Sequence, residues 1–207
     1  MVSVRGVELR LHGMGDYLSD EVRRTGDFYE AAVLDEVAHR LAGMGPGTLV
    51  DAGAHVGNHT AYLAAFVPYT TIHAFEPLPA HLPLLLDNVF AYQRVLVHPV
   101  ALSDHVGAVP WRPEPTNLGH SRVAEGAEHE VAAVTLDSVG LQRVRLIKLD
   151  VEGHEPQVLA GAKTTLERWQ PLVVIEDWEQ AYAELLPGYQ LLAEWGTQHQ
   201  TYLYGPA

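Results

Sequence analysis

The sequence predicts an α/β fold, a mostly parallel sheet flanked by helices and finished by a C-terminal antiparallel strand pair. Two observations predict it. From residue 48 onward, short apolar runs alternate with segments of helical period, and that rhythm produces parallel strands covered on both faces. Most of the polar clusters fall where an apolar run ends, and the carboxyl ends of strands are where such sheets bind ligands. At 207 residues the chain is long enough for one well-buried core, so residues 1–207 are read as a single domain.

The elements follow in order. Val2, Val4, Val7, Leu9 and Leu11 alternate with polar residues and the pattern breaks at Gly6, which predicts a short hairpin. Residues 27–41 carry Phe28, Ala31, Leu34, Val37 and Leu41 at helical spacing, with Asp27 as N-cap and Gly43 as stop. Hairpin and helix make an N-terminal segment, residues 1–45. Strands are predicted over residues 48–52, 71–75, 95–101, 145–150 and 171–176, and helices over 58–66, 80–92 and 155–169. Residues 189–195 and 201–204 make the final pair. Residues 105–130 show no clear period and hold Pro110, Pro113, Pro115, Gly119 and Gly126. They are expected to form an inserted loop or lid over 105–131, or a plain surface hairpin.

Composition narrows the function. The net charge is −13, and nucleic acids and anionic membranes both require a basic face, so neither is expected as a partner. No run approaches the roughly 20 apolar residues of a spanning helix, and residues 1–10 lack a signal-peptide core. There is no cysteine, which agrees with a cytoplasmic protein and excludes Cys-ligated zinc.

Four strand ends carry the chemistry. At the first, Asp51 precedes Gly53, His55, Gly57, Asn58 and Thr60. The glycines allow a sharp turn close to a ligand. A dinucleotide site wants G-x-G-x-x-G, whereas here the spacing is G-x-x-x-G and Asp51 would repel a pyrophosphate. A cofactor with a cationic end and no phosphate, such as S-adenosylmethionine, suits a carboxylate. At the second, Glu76 ends a strand about 20 residues beyond the turn, where an acid typically accepts from both ribose hydroxyls. At the third, Leu102 is expected to pack on the adenine ring and Ser103 or Asp104 to accept from its amino group, an ordinary Ser-Asp turn being the alternative. At the fourth, Lys148 and Asp150 interrupt an apolar strand and share one face. A structural ion pair accounts for them. A functional reading places Asp150 beside the methionine part of the cofactor, with Lys148, Glu152 and His154 near the acceptor. At the fifth strand end Glu176 and Asp177 could face the acceptor or a metal ion, and Asp177 with Asp150 has the oxygen chemistry a divalent ion such as Mg²⁺ would use. Of twelve histidines, His55 is read as a lining residue, His59 as helix surface and His154 as the acid–base group.

Together these stretches resemble the FkbM-like family of S-adenosylmethionine-dependent methyltransferases. The likeness rests on residues 50–60, Ala74-Phe75-Glu76-Pro77, Ala101-Leu102-Ser103-Asp104, Thr135-Leu136-Asp137, residues 147–155 and Val158-Leu159-Ala160-Gly161. His55 stands where the family usually has Asn. The resemblance implies a Rossmann-like class I methyltransferase that acts on hydroxyls of small molecules, glycans or secondary metabolites. His154 would serve as base, or Glu152 or Asp150, with Lys148 orienting them. A non-catalytic cofactor-binding module, a metal-dependent O-methyltransferase and an NAD-dependent dehydrogenase remain alternatives. The chain has little sequence with which to shape an acceptor site, which allows for a site completed in a homo-oligomer.

Overall fold

The computed structural model describes residues 1–68, 70–114, 121–177, 181–196 and 200–207. Pro115 and Gly119, named above, lie outside them. Strands β1 (Val2–Val4) and β2 (Val7–Leu9) pair antiparallel, the expected hairpin. Helix α1 (Tyr17–Thr25) follows, a helix the periodicity did not predict. Only Ser19 and Val22 of it are buried, so it lacks the wide apolar stripe that sequence reading relies on. Its cap is clear: the Asp16 carboxylate accepts from the Ser19 N–H at 2.9 Å. Helix α2 (Ala31–Ala42) starts four residues later than expected. Asp27 does not cap it, because that carboxylate is paired with Arg5 at 2.8 Å.

The central sheet alternates with helices: β3 (Thr48–Ala52), α3 (Asn58–Phe66), β4 (Thr71–Phe75), α4 (Leu82–Val89) and β5 (Val95–His98). After an intervening smaller sheet come β10 (Val144–Leu149), α6 (Glu155–Ala160), α7 (Lys163–Trp169), β11 (Leu172–Glu176), β12 (Tyr189–Trp195) and β13 (Thr201–Pro206). Among the described residues the sheet has seven strands in the order β12-β13-β11-β10-β3-β4-β5. The five strands β3, β4, β5, β10 and β11 run parallel, and β12 and β13 form the antiparallel pair. The Rossmann-like fold class is therefore as the sequence predicted. Strand order reverses between β3 and β10, the point at which such sheets open a ligand crevice.

Side chains alternate across β3 and build two cores. Leu49 joins one with Val33, Val37 and Leu63, under the N-terminal layer. Val50 and Ala52 join the other with Val158, Leu159 and Leu166. Helix α3 is buried over Asn58–Ala64 because the N-terminal layer covers it. His59 is consequently not helix surface: it is 5 % exposed.

Two other expectations are corrected. The helix predicted over residues 155–169 divides at Gly161, where a Cβ would stand 2.0 Å from the Ser103 carbonyl oxygen. Among its described residues the segment 105–130 is largely paired strand, closer to the hairpin than to the open loop. Strands β6 (Ala101–Leu102), β7 (Gly107–Arg112), β8 (Arg122–Val123) and β9 (His129–Val134) make a four-stranded sheet in the order β6-β9-β7-β8. In β7, Val109 and Trp111 turn inward between exposed or half-buried neighbours, a period of two that Pro110 and Gly107 mask. The short helix α5 (Leu136–Val139) connects this sheet to β10. The third strand thus ends at His98, and Ala101-Leu102 belongs to the second sheet. Among the described residues, no helix is long and apolar enough to cross a membrane.

Candidate active site

A cleft lies at the β3–β10 reversal, over the carboxyl ends of β3, β4 and β10. It encloses about 1060 Å³, open solvent at its mouth included. Its floor is built first by packing. Gly53 has φ of +77°, and a Cβ there would stand 1.8 Å from the Asp150 carbonyl oxygen. Only glycine lets the turn approach β10 so closely.

Beneath that turn sits a buried charge network. In the β3–β10 register Lys148 faces Asp51. Its ammonium lies 3.3 Å from Asp51 and 3.4 Å from Asp150, and it donates to the Gly53 carbonyl at 3.1 Å. Burial works against the Lys148 ammonium, but Asp51 and Asp150 outweigh it and hold the group protonated. Burial alone would raise the Asp150 pKa, and Lys148 more than reverses that. Asp51 is fully buried and also accepts from the Thr60 hydroxyl at 2.5 Å. Asp51, Thr60 and Lys148 therefore form the foundation of the turn. None of the three is among the residues that line the cleft.

The second strand end behaves differently. Glu76 lines the cleft and is 4 % exposed. One carboxylate oxygen accepts from the His55 N–H and the other from the Leu78 N–H, both at 2.8 Å. Each oxygen keeps a lone pair for a further donor. His55 lines the cleft as expected, with φ of +52°. Gly57 turns toward α4, where a Cβ would meet Leu85 at 2.6 Å, so it shapes the helix start and does not touch the cleft. Asn58 exchanges two hydrogen bonds with the Tyr29 backbone, both at 3.1 Å, and thereby fixes Tyr29 on the cleft wall.

At the third end, Leu102 lines the cleft. Ser103 is buried with its hydroxyl 3.0 Å from His154 Nε2. Asp104 is half exposed and paired with His105 at 2.7 Å, outside the cleft lining. His154 lines the cleft from the Leu102 side, and burial lowers its pKa. Its Nε2 is engaged by the Ser103 hydroxyl.

A cluster of carboxylates completes the lining. Asp150, Glu152 and Glu176 all line the cleft. Burial, then the charge of Asp150, pushes Glu176 up to about 10. The protonated Glu176 shares a hydrogen bond with Asp150. Burial, then the charges of Asp150 and Glu155, brings Glu152 to about 7. The backbone at Glu152 has φ of +55°, a conformation that non-glycine residues adopt rarely and chiefly where structure holds them. Asp177 caps the Tyr182 N–H at 2.9 Å and is absent from the cleft lining. The metal pair imagined for Asp150 and Asp177 is thus not assembled; Glu176 takes the place beside Asp150. His59 pairs with Glu30 at 3.1 Å, while His55 faces Asp16 at 3.2 Å.

Sequence reading missed Tyr29, His81 and Trp111, which also line the cleft. Trp111 comes from the unforeseen second sheet. His81 enters as the N-cap of α4, and only its place five residues after Glu76 could have marked it.

The profile of the methyltransferase FkbM domain matches residues 51–197. Methyltransferase sdnD of Sordaria araneosa is 28 % identical over 173 residues, covering 63 % of this chain and 66 % of that relative. The 2-O-methyltransferase NoeI of Sinorhizobium fredii is 23 % identical over 178 residues, covering 70 % and 73 %. The chain thus spans about two-thirds of the length of the curated relatives it matches. Among solved structures, the methyltransferase FkbM from Methylobacillus flagellatus superposes with a TM-score of 0.60 at 20 % identity, covering 77 % of this chain and 43 % of that one. That likeness concerns the fold.

Proposed function

Because the chain belongs to the FkbM family of methyltransferases, we propose that its cleft binds S-adenosylmethionine and that its carboxylates direct the methyl group to a hydroxyl of a small molecule, glycan or secondary metabolite. The observation that carries the reading is Glu76: a buried carboxylate in the cleft, steadied by two backbone N–H groups, with a lone pair left on each oxygen. Two oxygens so fixed match the vicinal hydroxyls of a ribose. Gly53 lets the backbone lie close to the ligand, and Leu102 offers an apolar face to a purine. Asp150, kept ionised by Lys148, carries negative charge into the cleft, where a cofactor with cationic sulfur and nitrogen is favoured. The fit to the residues is therefore good in shape and in charge.

Bound there, S-adenosylmethionine supplies a methyl group activated by its sulfonium. The protein's part is to hold the acceptor oxygen in line and take its proton. In-line holding alone can offset about 7–11 kcal/mol of barrier. Glu152 is the base in this reading. A group that titrates near 7 is half deprotonated at neutral pH and still basic enough to accept a proton. Glu176, protonated, donates to Asp150 and keeps that carboxylate oriented. Tyr29 and Trp111 provide aromatic walls beside these acids, a combination suited to a polyhydroxylated or ring-bearing acceptor. The hydroxyl preference is supported further by the relative whose name records 2-O-methylation.

The test is methyl transfer from methyl-labelled S-adenosylmethionine to a panel of polyhydroxylated acceptors, with the product's linkage determined by mass spectrometry and NMR. A methyl ether is the expected product. Label on nitrogen or carbon, or none transferred to any acceptor, would overturn the O-methylation reading.

A further inference from the structure

Three histidines distant in sequence meet at one wall of the cleft. His12 comes from the segment between β2 and α1, His55 from the glycine turn and His81 from the cap of α4. The ring centroids of His55 and His81 are 3.9 Å apart, those of His12 and His81 5.1 Å, and those of His12 and His55 5.5 Å. One nitrogen from each ring can be chosen so that all three lie within 4.8 Å of one another. His81 is 3 % exposed. Both ring nitrogens of His81, both of His55 and Nε2 of His12 are buried without a hydrogen-bond partner. So is Asp16 Oδ2, which lies 3.2 Å from His55 Nε2 yet makes no aligned hydrogen bond. Buried polar atoms are normally satisfied. All four residues hold unsatisfied buried atoms, and one nitrogen of each ring is within reach of the others, an arrangement that suits a ligand that accepts electron pairs.

We propose that His12, His55 and His81 form a binding site for a transition-metal dication, Zn²⁺ foremost, with Asp16 as the fourth ligand. Neutral imidazole and carboxylate are the donors Zn²⁺ takes in tetrahedral sites. Metal–nitrogen bonds of about 2.0 Å set ligand atoms roughly 3.3 Å apart. The Asp16–His55 spacing already matches, and the histidine nitrogens, within 4.8 Å of one another, need to close by up to about 1.5 Å. The site would pin the segment ahead of α1 to the glycine turn and to α4. Tyr17 and Leu18, which follow Asp16, line the cleft, so the metal would hold one cleft wall in place. It is separate from the acidic cluster at Asp150 and takes no part in the methyl-transfer step.

The test uses the whole chain, stripped with chelator and titrated with Co²⁺ and then Zn²⁺, with no other ligand present. The expected result is one Co²⁺ per chain with the visible absorption of a tetrahedral site, displaced by Zn²⁺. Zn²⁺ should also raise Tm, since an ion that binds the folded form stabilises it. His12→Gln and His81→Gln should each weaken binding by at least about 100-fold. His12 is only partly buried, so its variant should fold, as circular dichroism can check. His73→Gln, which alters the separate pair His73–His98, should bind as the wild type does. No saturable Co²⁺ binding, unchanged affinity in His12→Gln, or loss of binding in His73→Gln would each overturn the proposal.

Discussion

At Glu152 the chain holds a carboxylate in a left-handed backbone conformation, with φ of +55°, beside two other acids. Burial, Asp150 and Glu155 together bring it to about 7. The unfolded chain would release that proton near its ordinary value, so between that value and 7 the folded state binds more protons, and this group's contribution to stability falls as pH rises. Activity moves the other way, because the base acts when deprotonated. The kcat/KM profile should therefore rise with pH and level off above about 7. Glu152→Gln should cut turnover by about 10²–10⁴-fold and abolish that inflection. A variant that keeps both rate and inflection would remove Glu152 from the role. His154, the base that the sequence favoured, is tied to Ser103. For His154→Ala the expected loss in turnover is under about tenfold, well below what a missing base costs, and a loss as deep as that of Glu152→Gln would return the role to it. Strand-end position was legible in the sequence for both residues. Which way each ring or carboxylate turned depended on Ser103 and Asp150, contacts across the fold that spacing does not encode.

Strand β10 bears the cost of this arrangement. Its central Lys148 is almost wholly buried against a fully buried Asp51. Removing one partner of a buried ion pair typically costs about 3–5 kcal/mol, because the other charge is left without compensation. Lys148→Met should accordingly lower Tm by about 10 °C in a chain of this size, measured by calorimetry. A variant melting within about 2 °C of the wild type would show that the network does not support the turn. The sequence revealed the ion pair, since a lysine and an aspartate two apart in an apolar strand must share a face. It did not reveal that Asp51 was the second partner, because that pairing arises from the β3–β10 register. The element-level misses have the same origin. Helix α1 carries too few buried residues to show a stripe. Pro110 and Gly107 hide the alternation of β7, whose inward Trp111 lines the cleft.

Across the whole molecule, the parallel sheet and its reversal point were legible because central strands are continuous apolar runs ending in acids or glycines. The covering layers were not, because they are polar on one side and are fixed by contacts between distant segments. His12, His55 and His81 lie dozens of residues apart and meet only through that layering. The account as a whole depends on the cleft taking S-adenosylmethionine, with Glu76 gripping its ribose. The most direct measurement is a calorimetric titration of S-adenosylhomocysteine into the wild-type chain and into Glu76→Ala. Saturable binding at one site per chain is expected, weakened by about 10–100-fold in the variant, the loss that hydrogen bonds to a charged group carry. A folded wild type that binds nothing, or a variant that binds as tightly as the wild type, would contradict it.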